Sequence, residues 1–162
     1  MNVADLTALL WPQGDGPDKP QVHMLIDGAT DMTLSTRIRF GKLQYDCLFG
    51  EPLSQHLRAA APYLVHLSAG SPQTCDLLGL SANAPLCVFV TAPPIISTRQ
   101  LRLHFKKLLW VHDERGRQLY FRYYDPRVLA AYWPSCSAEE RVQLLGPGHQ
   151  LHWLQEGRLH SS

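Results

Sequence analysis

The sequence predicts one α/β domain, with α+β as the alternative. It is expected to hold a mixed sheet with crossover helices, a C-terminal β-hairpin and short capped helices. Three observations predict this. Apolar runs at 22–26, 63–67 and 86–90 recur with helix-start signals between them, the alternation that strand–helix–strand units leave in a sequence. The run 86–90 is apolar at every position, which marks a strand covered on both faces. With 162 residues, 45% hydrophobic and 18% charged, the chain can bury a sizeable core as one domain.

Taken in order, residues 1–21 read as an N-terminal segment and loop. Asp5 precedes a short apolar run broken at Pro12, and 12–20 is rich in Gly, Pro and Asp. With no basic leader, no secretory signal is expected, and no run is long enough to span a bilayer. Strand 22–26 ends in a turn at Asp27-Gly28, and a second strand, 44–49, is closed by Gly50. Glu51-Pro52 is read as opening a helix with Leu53, Leu57 and Ala60 at helical spacing, ahead of strand 63–67. Ser71-Pro72 starts a helix through Leu78, and the apolar strand 86–90 follows.

The remaining third has a different pattern. Ser97 or Thr98 caps a helix whose Leu101, Phe105 and Leu108 form one stripe, with Arg102 and Lys106 facing outward. Residues 108–112 and 119–124 read as a hairpin joined by Asp113-Glu114-Arg115-Gly116, where Gly116 can take the left-handed conformation. Asp125 then offers a carboxylate to the amides of a new helix that Pro126 begins, a cap worth about 1 kcal/mol. Ser137-Ala138-Glu139-Glu140 is a capping box for a helix that stops at Gly146-Pro147. Residues 148–162 read as a short strand, 150–154, and a polar tail.

Net charge is +1, which gives no global reason to expect nucleic acid or a membrane surface as partner. Locally the balance differs. Between 97 and 127 lie Arg99, Arg102, Lys106, Lys107, Arg115, Arg117, Arg122 and Arg127, against Asp113, Glu114 and Asp125. The four cysteines, Cys47, Cys75, Cys87 and Cys136, are far apart and form no C-x-x-C pair. They read as reduced, small hydrophobes in a cytoplasm.

No catalytic or cofactor signature stands out. There is no G-x-S-x-G elbow, and Ser71 and Ser137 are already spoken for as helix caps. The glycines form neither a G-x-G-x-x-G nor a P-loop pattern. The eight histidines are scattered, and His149 and His152, the nearest pair, point to opposite faces if they share a strand. No metal is expected.

Three places carry a resemblance: Ile26-Asp27-Gly28-Ala29; Leu48-Phe49-Gly50-Glu51-Pro52-Leu53; and Phe121-Arg122-Tyr123-Tyr124-Asp125-Pro126-Arg127-Val128-Leu129. In this order they resemble the family of adaptor chaperones encoded beside type VI secretion toxins in Gram-negative bacteria, over roughly 22–147. The resemblance implies a non-enzymatic protein that binds a toxin effector and helps load it onto the VgrG spike. It implies no cofactor, small-molecule substrate, nucleic acid or membrane. Arg122, Tyr124 and Arg127 are the partner-binding residues it implies, and Asp27, Gly28, Gly50, Pro52, Asp125 and Pro126 form its structural motif. Many such proteins are longer, with a variable C-terminal lobe, whereas little follows Pro147 here. Two other readings stand beside it: Arg122 and Arg127 can tie the Asp125 helix to the sheet, and the basic zone 97–127 can serve a nucleic-acid-binding module. A hydrolase of unknown substrate comes third.

Overall fold

The central strand decides the architecture. In the computed structural model, which describes residues 1–14, 16–50, 52–146 and 148–162, β1 (Gln21–Asp27) is buried on both faces from Val22 onward. It lies between β3 (Pro62–Leu67) and β4 (Cys87–Ala92). β2 (Tyr45–Cys47) extends the sheet beyond β3, and β7 (Gln150–Gln155) and β8 (Arg158–Ser161) extend it beyond β4. The order is β2-β3-β1-β4-β7-β8, and every neighbouring pair is antiparallel.

The domain is therefore α/β, but its sheet is antiparallel rather than mixed. β3 and β4 both run against β1, so they are parallel to each other, and α4 (Pro72–Asn83) is the crossover helix between them. β1 is inserted between the two and takes both sets of hydrogen bonds.

Strand alternation sorts the core into two layers. Val22, Met24 and Ile26 of β1, with Tyr63, Val65, Leu67 and Phe89, face α1 (Val3–Leu10), α2 (Met32–Phe40) and α4, which contribute Leu6, Leu10, Leu34, Ile38, Leu77 and Leu78. Leu25, Leu64, Val88, Val90, Leu151 and Trp153 face the opposite layer. There α5 (Thr98–Leu108), α6 (Pro126–Tyr132) and α7 (Ala138–Leu145) bring Leu101, Phe105, Leu129 and Leu144. Each such side chain, fully buried, stabilises the fold by about 1.5–3 kcal/mol. No helix among the described residues is long and apolar enough to cross a membrane.

Several elements depart from expectation. The N-terminal segment holds α1, closed by a capping box between Asn2 and Asp5. Residues 32–40 form α2, where no element was expected. α3 (Gln55–Ala59) starts later than Glu51-Pro52, because the Ser54 hydroxyl accepts the Leu57 amide and so sets the start; Pro52 lies in an exposed bend before it, and Glu51 is outside the described residues. α4 runs past Leu78 to Asn83, and the strand expected over 44–49 is only β2. The polar tail forms β8, paired with β7.

The hairpin consists of β5 (Trp110–His112) and β6 (Gln118–Tyr120), a two-stranded sheet of its own. Gly116 has φ +74° at its turn, as expected of that position. The strand expected over 119–124 ends at Tyr120. Beyond it a turn bonds the Asp125 amide to the Arg122 carbonyl at 3.0 Å, and two consecutive residues, Tyr123 and Tyr124, are both buried. α7 ends at Gly146, with φ +59°, and Pro147 lies outside the described residues.

Candidate functional site

The alternation of β1 places Asp27 on the same face as Leu25, toward α5 and α6. Its side chain is 2% exposed. One carboxylate oxygen accepts the Ala29 amide at 2.9 Å, and the other accepts Nη2 of Arg122. Gly28 is a glycine for a steric reason. A Cβ there would lie 2.6 Å from the carbonyl oxygens of both Ala59 and Ala61, and the Gly28 amide donates to the latter at 3.1 Å. The Asp-Gly pair thus locks the end of β1 beneath the junction of α3 and β3.

Asp125 does two jobs. As the N-cap of α6 it accepts the Arg127 amide at 3.0 Å, and Pro126 fills the first helical position. The same carboxylate takes Nε and Nη2 of Arg127 at 3.0 and 2.8 Å. Burial alone would raise its pKa, but the Arg127 hydrogen bonds outweigh that and hold it below the ordinary carboxylate value. Arg122 lies 3.9 Å from the same carboxylate, so Asp27, Arg122, Asp125 and Arg127 form a chain of alternating charge. Both acids are buried, whereas the Arg122 and Arg127 side chains are 40% and 63% exposed.

Tyr124 is buried and shares a 2.7 Å hydroxyl–hydroxyl contact with Tyr120; burial first, and then this contact, hold its pKa far above the usual phenol value. Tyr120 is the ring that reaches the surface. Its centroid lies 5.1 Å from Trp110 and 6.1 Å from Phe49. Tyr123 points inward, where it stacks on Phe105 and donates to the Phe105 carbonyl at 2.7 Å. Gly50 has ample room: a Cβ there would come no closer than 3.7 Å to Lys106 Nζ. The loop at Phe49-Gly50 therefore abuts the end of α5.

Three stretches far apart in sequence, around Asp27, Phe49 and Arg122, thus meet on one side of the molecule. A family model described as Domain of unknown function (DUF4123) matches residues 22–143. The chain belongs to that family. No curated protein and no solved structure matches it.

In this DUF4123 domain the other candidate groups fall elsewhere. Among the described residues, four of the eight cations of the basic zone face carboxylates: Arg102 reaches Asp46 at 3.5 Å, Arg117 reaches Asp113 at 2.7 Å, and Arg122 and Arg127 pair as above. His149 packs on His104, with centroids 4.7 Å apart, whereas His152 bonds to Thr91 and Ser161 on the sheet. Ser71 and Ser137 cap their helices. Cys87 and Cys136 are buried, and Cys47 and Cys75 are half-buried. Lys106 is exposed, as its helical spacing predicts, and Trp110 and Tyr120 pair on the hairpin beside the basic zone, where the nucleic-acid reading draws on them. The approach of Phe49 to Tyr120 is not legible in the sequence.

Proposed function

We propose that this protein is a cytoplasmic adaptor or chaperone that binds a toxin effector and helps load it onto the VgrG spike of a type VI secretion machine. The observation that carries this reading is the convergence of the three motif stretches into a surface of aromatic rings and arginines, the side chains that most often anchor protein interfaces. Asp27 and Asp125 are held by arginines, which suits a fixed scaffold better than a base that must exchange a proton. In this reading Arg122 and Arg127 present their outward N–H groups to the partner, and buried Tyr124 fixes Tyr120 beside them. Binding is stoichiometric and needs no cofactor. The nucleic-acid reading is weakened because four of the zone's cations already face carboxylates among the described residues, leaving less charge to neutralise phosphates.

The test is co-expression with the products of neighbouring genes, followed by pull-down and size-exclusion chromatography. A soluble complex with an effector, and a lower yield of that effector when it is expressed alone, is the expected result. If none of those products forms a complex, the adaptor reading fails.

A further inference from the structure

We propose that Trp110, Tyr120 and Phe49, with Lys106 and Lys107 at the end of α5, form a docking site for an acidic segment of a partner protein. That segment places an apolar side chain in the groove beside the hairpin. The identity of the partner rests on the adaptor reading; the chemistry of the segment does not.

The hairpin is an expensive place to expose apolar surface. Its strands have three residues each, yet Trp110, Leu119 and Tyr120 are 53%, 46% and 37% exposed. A two-stranded ribbon of this length has little stability of its own. It is held by the Phe121 amide bonding to the Leu109 carbonyl at 2.9 Å and by the Tyr120–Tyr124 contact. Between it and α7 runs a groove of about 640 Å³, lined by Leu108, Trp110, Leu119, Phe121 and Leu144, with Lys107 on its rim. That space suits one or two bulky side chains.

Charge decides what flanks them. Lys106 and Lys107 are both exposed in the last turn of α5, and Lys106 stands over Gly50 beside Phe49. Among the described residues, the neighbouring carboxylates are committed. Asp46 faces Arg102 and Asp27 faces Arg122. Glu140, across the groove, accepts the Ser137 amide at 2.7 Å and the Tyr132 hydroxyl at 2.9 Å. The outward charge that the described residues place next to the rings is therefore positive, and its complement is a carboxylate-bearing segment. A single-stranded nucleic acid would also bring negative charge, but it is read by ring faces on which bases stack. Trp110 and Tyr120 meet edge to face, at 61°, which makes an apolar notch instead of parallel platforms.

The experiment uses the full chain and three series of synthetic peptides with the same apolar residues, flanked by Asp/Glu, by Asn/Gln or by Lys. A single-stranded oligonucleotide serves as the fourth probe. The acidic series should bind at least about tenfold more tightly than the others. Trp110→Ala should remove most of that binding, and Lys106→Glu should invert the preference between acidic and basic series. Both side chains are exposed, so the melting temperatures of the variants should match the parent. Absence of acidic preference, unchanged binding in folded Trp110→Ala, or tighter salt-sensitive binding of the oligonucleotide would overturn the proposal. The two readings fail separately. A complex with a neighbouring effector that forms without acidic-peptide binding sinks the docking site alone, whereas acidic-peptide binding without any such complex sinks the adaptor reading alone.

Discussion

Asp27 and Asp125 are both buried carboxylates, but they depend on their arginines to different degrees. Asp125 also receives the Arg127 amide and keeps Arg122 within 3.9 Å, so Arg127→Ala leaves it partly satisfied. Asp27 has the Ala29 amide and Arg122, and Arg122→Ala leaves one buried oxygen without its donor. Arg122→Ala should therefore lower unfolding free energy by about 1–3 kcal/mol, the penalty for a stranded buried acceptor. Arg127→Ala should lower it by less than about 1 kcal/mol, in keeping with its exposed side chain, and Asp125→Ala by about 0.5–2 kcal/mol from the lost cap alone. Denaturant melts of the three variants check the order, and an Arg122→Ala protein as stable as the parent would refute it. The Asp125-Pro126 cap was legible in the sequence because cap and helix are adjacent. The Asp27–Arg122 pair was not, because its partners are 95 positions apart and only the sheet brings them together.

Elements whose stop and start signals are local were read well, and those fixed by tertiary contact were not. Ser137 closes a capping box where the spacing predicted one, and Ser97 is the cap of its helix, as one of the two residues expected there. By contrast, α2 includes Thr33, Ser35, Thr36, Ile38 and Phe40, residues of middling helix propensity, and it is held by the Asp31 cap and by burial of Leu34 and Ile38. β8 is an edge strand of mostly polar residues, and its pairing with β7 and the stacking of His160 on Trp153 leave no apolar run to read. The alternation over 119–124 misled because Tyr123 and Tyr124 anchor a turn, each reaching a different partner. The Asp27-Gly28 turn gives the most direct test at this scale. Gly28→Ala puts a methyl group 2.6 Å from two backbone carbonyls, neither of which is the movable end of a side chain. The junction of β1, α3 and β3 must shift, and stability should fall by about 2 kcal/mol or more. A melting temperature equal to the parent's would show that this junction yields freely.

Across the whole molecule, composition and apolar runs were enough to predict a single layered α/β domain, because both depend only on how much surface must be buried. Strand order was out of reach: nothing in 22–26, 63–67 or 86–90 says that the first inserts between the other two. The same layering buries histidines that the sequence showed only as scattered. His23 is fully buried beside His66, and its pKa is pushed down to about 4, first by burial and then by His66. His149 is 2% exposed against His104 and Phe105, and is likewise pushed down to about 4, by burial and then by His104. His152 is shifted downward by burial. In the unfolded chain these rings protonate near pH 6.5, so between about 6.5 and 4 the unfolded state binds more protons than the folded one. The stability that neutral burial confers is complete above about 6.5 and is lost as pH falls toward about 4, where the folded rings begin to protonate as well. Carboxylates with lowered pKa, such as Asp125, add their loss only at lower pH. Thermal melts across this interval should show the melting temperature dropping steadily. His149→Leu, which removes one titrating ring while keeping an apolar side chain in its place, should make the drop shallower. A flat profile from about 6.5 to 4 in the parent, or an identical slope in the variant, would mean that these rings take up protons without disturbing the packing of β1 and α5.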